Sequence, residues 1–340
     1  MKAWRVHAHG GPEVLTPEEL SDPSPAADEA VVEVKACALN HLDLWVRRGV
    51  PGHKFPLPII PGCDIAGVVK EVGSVVQNAK AGDRVVVAPG FGCGTCEACS
   101  EGNDNLCRDY GIMGETRDGG YAQYVKVPSR LLTPVPGDMA FEQIAAVPLT
   151  FLTAWHMLVA RCGVKPGDDV LVHAAGSGVG SAAVQIAKLF GARVWATAST
   201  EAKRAKARDL GADDAFPYES FVEEVRRRTN KRGADIVFEH VGSATFEGSL
   251  RSLAKGGRAV TCGATSGAEV KFDLRLVFFK SLSILGSTMG SRGEVLRILR
   301  LVGQGKLKPV VDRVMPLSEI RKAHELMEKR EQFGKIVVVP

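Results

Sequence analysis

Over the first 149 residues, apolar positions recur at strand spacing. The stretches AVVEVKACAL (30–39), AGVVKEVG (66–73) and DRVVVAPG (83–90) alternate or run apolar, and PSPAAD (23–28) and PGHKFPLP (51–58) interrupt them with turn residues. Short runs punctuated in this way predict a compact, barrel-like β domain. From Thr150 the pattern changes. DDVLVHAAGSGVGSAAVQIAKLFGARVWATAST (168–200) reads as a buried strand, a glycine-rich turn, an amphipathic helix and a second strand. ADIVFEHVG (234–242), GGRAVTCGATSG (256–267) and SLSILGSTMG (281–290) supply further strands, with helical spacing between them. Strand and helix in alternation predict a doubly wound parallel sheet. The tail from Ser291 is expected to form two helices and a last strand, GKIVVVP (334–340).

Composition narrows the class of protein. A chain of 340 residues, 45% apolar and 24% charged, has room for about two domains with their own cores. The balance of 43 basic against 39 acidic residues leaves +4, too weak a field to mark a nucleic-acid binder. The densest basic run, VRRRTNKR (225–232), follows Glu223 and Glu224 and reads as a solvated helix end. No apolar run approaches the ~20 residues that cross a bilayer, and the start MKAWRVHAHGGPE lacks a signal-peptide core. A cytoplasmic location without a membrane partner is therefore expected. Thiols stay reduced there, and clustered cysteines favour metal over disulfide.

Two stretches carry chemistry. CGTCEACSEGNDNLC (93–107) places Cys93, Cys96, Cys99 and Cys107 at the spacing of a metal site, and leaves open whether that metal reacts or only holds a loop. Cys37, Cys63, Cys162 and Cys262 are scattered and are expected to be mostly small buried hydrophobes. The second stretch is the turn Ala175-Gly176-Ser177-Gly178-Val179-Gly180, between a buried strand and a helix. It departs from the dinucleotide motif at its first two glycines, but a following strand at the right distance makes pyrophosphate on the helix N-terminus the favoured reading. The second strand ends in Ala198, Ser199 and Thr200 where an NAD site has an acid, and Lys203 and Arg204 follow. A missing acid with cations beside it favours the 2′-phosphate of NADP(H), while Glu201 works against it and keeps NAD(H) open.

Taken in order, GPEVL (11–15), PGCDIAGVV (61–69), the four-cysteine loop, KPGDDVLVHAA (165–175), AKLFGA (187–192), LGAD (210–213) and GSTMGS (286–291) resemble the medium-chain dehydrogenase/reductase superfamily over nearly the whole chain. ALNHLDLWVRRG (38–49) looks most like its quinone oxidoreductase branch and the zinc-alcohol-dehydrogenase-like relatives. The resemblance implies an α/β protein. A GroES-like β-barrel catalytic domain (1–149) would carry a zinc lobe (92–108), a Rossmann doubly wound sheet would occupy 150–287, and a C-terminal segment (288–340) would complete the catalytic domain. It also implies one structural zinc per chain, held by Cys93, Cys96, Cys99 and Cys107, whose four thiolates close a tetrahedral shell against water or substrate. Cofactor contacts would come from His41, Thr153, Ser177, Gly178, Val179, Gly180, Ser199, Lys203 and Gly263.

The same resemblance departs where the family's alcohol dehydrogenases hold a catalytic zinc. The matching positions are Asn40, Cys63 and Leu149, the carboxylate behind them is Asp64, and the relay hydroxyl is Leu42. Without a Lewis acid, hydride transfer suits an acceptor that delocalises its own charge, such as a quinone or an α,β-unsaturated carbonyl or enoyl compound. Asn40 and Asp64 are the expected catalytic residues; Asn40 either donates through its amide or only caps a turn. Trp45 would wall an apolar pocket. Arg47 and Arg48 would flank the cleft mouth and meet an anionic substrate such as an acyl-CoA, or be solvated surface. Two alternatives stand beside this reading: an alcohol dehydrogenase with a reshuffled metal site of Cys63, Asp64 and His41, and a nucleotide- or RNA-binding structural protein of the zeta-crystallin type. Small-molecule substrates and a homodimer or homotetramer are expected, nucleic acid is not, and the particular acceptor is not legible.

Overall fold

The computed structural model describes residues 1–340 and divides them into two compact units, Met1–Leu149 with Ser291–Pro340, and Thr150–Gly290.

In the first unit a seven-stranded sheet forms from the apolar runs read above. Its order is Val311–Pro316, Lys335–Val339, Glu29–Ala38, Asp64–Val72, Arg84–Val87 and Leu132–Pro134, with Tyr124–Pro128 also paired to Glu29–Ala38. The first two strands are parallel and the other pairs antiparallel. Glu29–Ala38 is the hub: it pairs with three strands and is nearly all buried, which explains its dense apolar pattern. The C-terminal tail contributes helices Arg292–Gly303 and Ile320–Glu328 and the strand Lys335–Val339. It also contributes Val311–Pro316, a strand absent from the sequence reading. That segment, VDRVMP, is an outer strand with mostly exposed side chains, so it has no apolar alternation to reveal it.

In the second unit six parallel strands are ordered Asp214–Phe216, Arg193–Thr197, Asp169–Val172, Ala234–Glu239, Leu253–Thr261 and Ser283–Gly286. In chain order this is 3-2-1-4-5-6, the doubly wound arrangement, and the order reverses between Asp169–Val172 and Ala234–Glu239. The central strands are buried on both faces by helices, as continuous apolar runs require. On one face Trp195, Phe216, Phe221, Phe246 and Leu250 form much of the core. At the other end of the sheet the edge strand Ser283–Gly286 leaves Ile284 exposed. The helix Leu274–Lys280 leaves Leu274, Phe278 and Phe279 61–70% exposed. No helix in either unit is long and apolar enough to cross a membrane.

Candidate functional site

In the first unit, the positions matched to a catalytic zinc converge. Asn40 ends the loop after Glu29–Ala38 and caps helix His41–Arg48; its own N–H donates to the Asp43 carboxylate at 2.7 Å. Its side-chain amide is fully engaged. Nδ2 donates to Asp64 Oδ2 at 2.9 Å and lies 3.3 Å from both Cys63 Sγ and the Ala38 carbonyl. Leu149 contributes its backbone N–H, which donates to Asp64 Oδ1 at 2.8 Å. Burial pushes the Cys63 thiol well above the ordinary range, so it sits there as a neutral, weak acceptor. His41 begins the helix and is half-buried.

The centre of this cluster is a residue that sequence reasoning missed. Lys335, the first residue of the strand Lys335–Val339, is 4% exposed, and its Nζ donates to Asn40 Oδ1 at 2.5 Å and to the fully buried Asp64 Oδ2 at 3.0 Å. The sheet register puts it there, since Leu39 N–H bonds Ile336 O and Val337 pairs with Ala38. Gly334 precedes it at φ +96°, where a Cβ would lie 2.4 Å from Val310 O, so only glycine lets the chain enter the strand this way.

Behind the cluster runs a second buried network. Asp43 accepts from Gly62 N–H at 3.1 Å as well as from Asn40; burial pushes its carboxyl up to about 6 while the Asn40 N–H, Lys335 and Tyr121 oppose this. Tyr121 reaches Asp43 and also His324 Nε2, at 3.2 Å, and His324 Nδ1 faces Arg47 Nη1 at 3.4 Å. Arginine only donates, so the network assigns the His324 proton to Nε2 and the Tyr121 hydroxyl hydrogen to Asp43. Burial, with Arg47 and Arg48 adding to it, holds His324 down at about 3 and hence neutral. This corrects the expectation for Arg47. It flanks no mouth but is wholly buried, paired with Glu328 and His324 of helix Ile320–Glu328, which packs over it. Arg48 is exposed and pairs with the same Glu328 at 2.8 Å. Trp45 is 36% exposed at the helix surface.

The four-cysteine loop folds into a compact lobe in which the sulfur atoms of Cys93, Cys96, Cys99 and Cys107 all lie within 4.8 Å of one another. Sulfurs at ~2.3 Å from one tetrahedral ion would be about 3.8 Å apart, so the donor set fits zinc. Backbone N–H groups of Cys93, Gly94 and Cys96 already point at Cys107, Cys99 and Cys93 sulfurs. Hydrogen bonds from Thr95 and Cys96 hold Cys93 down at about 6. Cys99 receives the Gly94 N–H, yet burial and the neighbouring thiols push it up to about 12. Four bare thiols this close cannot all ionise, and a divalent cation removes that conflict.

In the second unit the glycine turn follows the central strand Asp169–Val172. Ser177 caps helix Gly178–Leu189 by accepting from Gly180 N–H at 2.9 Å. Gly180 packs against the turn so closely that a Cβ would meet Ala174 O at 2.3 Å. Ala174 itself is held at φ +47°, with its N–H on Thr197 Oγ1 at 3.1 Å. Gly178 and Val179 are half-exposed at the helix start, where N–H groups lack intrahelical acceptors. The turn rests on a buried polar network that the sequence did not disclose. His173 Nδ1 lies 3.0 Å from Thr197 Oγ1 and Nε2 2.9 Å from Ser249 Oγ. Ser249, Thr245 and the N–H groups of Val241 and Gly242 donate to Glu239. Burial opposes the Glu239 charge, but the neighbouring His173 ring together with these donors keeps the carboxyl below its usual range; burial holds His173 down at about 4. The network ties together the ends of three adjacent strands, where a doubly wound sheet binds its ligand.

At the next strand end Ser199 is exposed, and Thr200 caps helix Glu201–Asp209 by accepting from Lys203 N–H at 3.2 Å. Arg204 lies across this end, donating to Ala198 O at 3.1 Å and to Glu201 at 3.0 Å, and Arg208 also pairs with Glu201. Glu201 is thus neutralised by two arginines. Gly263 lies past the end of Leu253–Thr261, where a Cβ would be 3.4 Å from His240 O. Thr153 is buried in helix Pro148–Trp155.

Known proteins share this layout. Residues 26–137 match the family model of the alcohol dehydrogenase GroES-like domain, and residues 178–304 that of the zinc-binding dehydrogenases. The quinone oxidoreductase of Homo sapiens is 30% identical over 349 residues, covering 100% of this chain and 98% of its own. An acryloyl-coenzyme A reductase of Metallosphaera sedula is 33% identical, with 99% of each chain covered. A solved NAD-dependent alcohol dehydrogenase is 52% identical and superposes with a TM-score of 0.97 over 100% of both chains. With the two units, their sheet orders and these relatives in agreement, the chain belongs to the medium-chain dehydrogenase/reductase superfamily and is an NAD(P)-dependent oxidoreductase of that type.

Proposed function

We propose that the protein is a reductase that uses NAD(P)H, with NADPH preferred, to transfer hydride to a quinone or an α,β-unsaturated carbonyl or enoyl compound, without a catalytic zinc. The observation that carries this is the buried bridge from Lys335 to Asn40 and Asp64. A cation already neutralises Asp64, the carboxylate that takes the Asn40 amide and the Leu149 N–H. The ligand atoms that converge as a metal site needs are the four thiols of the lobe, Cys93, Cys96, Cys99 and Cys107.

A bound nicotinamide would supply a hydride to the electron-poor carbon of the acceptor, whose conjugated oxygen would carry the developing negative charge until a proton from water completed the reduction. Asn40 meets that oxygen. One of its amide hydrogens is held firmly by Asp64, but the other faces only the neutral Cys63 sulfur and the Ala38 carbonyl, each at 3.3 Å. An oxygen with developing charge outcompetes both. Asp64 holds the amide in place, accepting from Leu149 N–H, Asn40 and Lys335 together. Gly178, Val179 and Gly180 would hold the pyrophosphate, and Arg204 with Lys203 a 2′-phosphate, Glu201 being already paired. The quinone oxidoreductase and acryloyl-coenzyme A reductase relatives act on acceptors of this kind.

A second reading is favoured by the 52% identical NAD-dependent alcohol dehydrogenase: alcohol oxidation with NAD. One screen separates them. Oxidation of NADPH and NADH with quinones, enones and enoyl thioesters should exceed oxidation of simple primary alcohols, and Asn40→Ala should lower turnover by roughly 10²-fold. Faster alcohol oxidation, abolished by a chelator that leaves the fold intact, would overturn the proposal.

A further inference from the structure

A lysine and an aspartate buried together contribute little net stability, because desolvating both charges offsets their attraction. Lysine is also among the side chains least often buried. Lys335 is nonetheless 4% exposed, and two of its three N–H bonds are spent inside the cluster that holds Asn40, on Asn40 Oδ1 and Asp64 Oδ2. The two contacts act in one sense. The ammonium takes the amide oxygen and the carboxylate takes the amide nitrogen, so a flipped amide would set its oxygen against Asp64 and its NH₂ against Lys335. The cationic bond to the amide oxygen also draws electron density from Nδ2 and strengthens it as a donor. The same charge lies 3.0 Å from Asp64 Oδ2, an oxygen that a divalent cation would need, and repels such an ion.

We propose that Lys335 is a positioning residue of this site. It is a resident cation that fixes and polarises the Asn40 amide for the acceptor oxygen and stands, in charge, where a metal would otherwise be recruited. The proposal rests on the reductase reading for the identity of the acceptor, but not for the link between Lys335 and Asn40.

The test is a double-mutant cycle of Lys335→Met and Asn40→Ala, with Lys335→Arg beside it, in the full-length protein. Rates are read on whichever hydride transfer the wild type performs, so the wild type alone judges the reductase reading and the cycle alone judges Lys335. Lys335→Met should lower kcat by roughly ten- to a hundredfold, as loss of a supporting partner does, with KM for the nicotinamide cofactor changed less than about threefold. Lys335→Arg, which keeps the charge, should recover part of the loss. In the Asn40→Ala background Lys335→Met should cost less than about threefold more, because partners in one network are not additive. A readout free of turnover accompanies it. With ¹⁵N-asparagine labelling, the Asn40 side-chain resonances, assigned by their absence in Asn40→Ala, should move and lose exchange protection in the Lys335 variants. Multiplying effects, a kcat within twofold of wild type, or unmoved Asn40 resonances would overturn the proposal. If Lys335→Met does not fold, Lys335→Arg and its resonances decide.

Discussion

Replacing Asp64 by asparagine changes one oxygen into an NH₂ group in a place where every neighbour is a donor. Asp64 is fully buried and accepts from Leu149 N–H on Oδ1 and from Asn40 Nδ2 and Lys335 Nζ on Oδ2. Whichever way the new amide turns, its NH₂ faces at least one of these donors. The larger effect is on Lys335, left 4% exposed with no counter-charge. Removing one partner of a buried pair costs about 3–5 kcal/mol. For a unit of roughly 200 residues, each kcal/mol moves the melting temperature by about 2–4 °C, so Asp64→Asn should melt about 6–20 °C below wild type. Removing both charges should be milder, and Asp64→Asn with Lys335→Met should regain at least half of that loss. Scanning calorimetry of the wild type, both single variants and the double variant, at one pH and protein concentration and without cofactor, reads all four. A single variant within about 2 °C of wild type, or a double variant as low as the sum of the two, would refute a buried Lys335–Asp64 pair.

The zinc lobe should hold about one zinc per chain in freshly purified protein, and Cys107→Ser should lower that content and the thermal stability together; two zincs per chain, one lost on Cys63→Ala, would contradict it. Arg204→Ala, and to a smaller degree Lys203→Ala, should weaken NADPH by roughly tenfold or more while changing NADH little, because a charge-assisted bond to phosphate is worth about 1.5–3 kcal/mol; equal losses for both cofactors would show that neither side chain reads the 2′-phosphate. His173 and His324 are held neutral at about 4 and about 3, against about 6.5 in the unfolded chain, so the unfolded state gains protons first as pH falls. Stability should therefore drop between pH 7 and pH 5, and drop less steeply in His324→Gln; melting temperatures independent of pH over that range would refute this. The subunits should associate through the exposed Ile284 edge and the Phe278–Phe279 helix, so Phe278→Asp should shift the particle seen by light scattering toward 36.3 kDa; a wild type already of that mass at micromolar concentration would remove the basis for it.

Local patterns determined much of this protein. Four cysteines within fifteen residues meet around one point because a short loop gives them nowhere else to go. The strand, glycine turn and helix at 168–189 form from contiguous residues, so the turn was legible despite the missing motif glycines, while the Ser177 cap emerges only in the structure. Alternation of strand and helix named the doubly wound sheet, because the buried runs and amphipathic helices each span a single element. What the sequence could not convey depends on partners far along the chain. Lys335 opens an apolar strand, a place where a lysine reads as solvated, and only the pairing of that strand beside Ala38 brings it to Asn40, 295 residues away. Arg47 likewise passed for surface until helix Ile320–Glu328 laid Glu328 and His324 over it. His173, Glu239 and Ser249 sit on separate elements and show no shared spacing. The character of the candidate site was therefore decided by tertiary structure, because the meaning of a charged side chain depends on whether a distant strand or helix removes it from water.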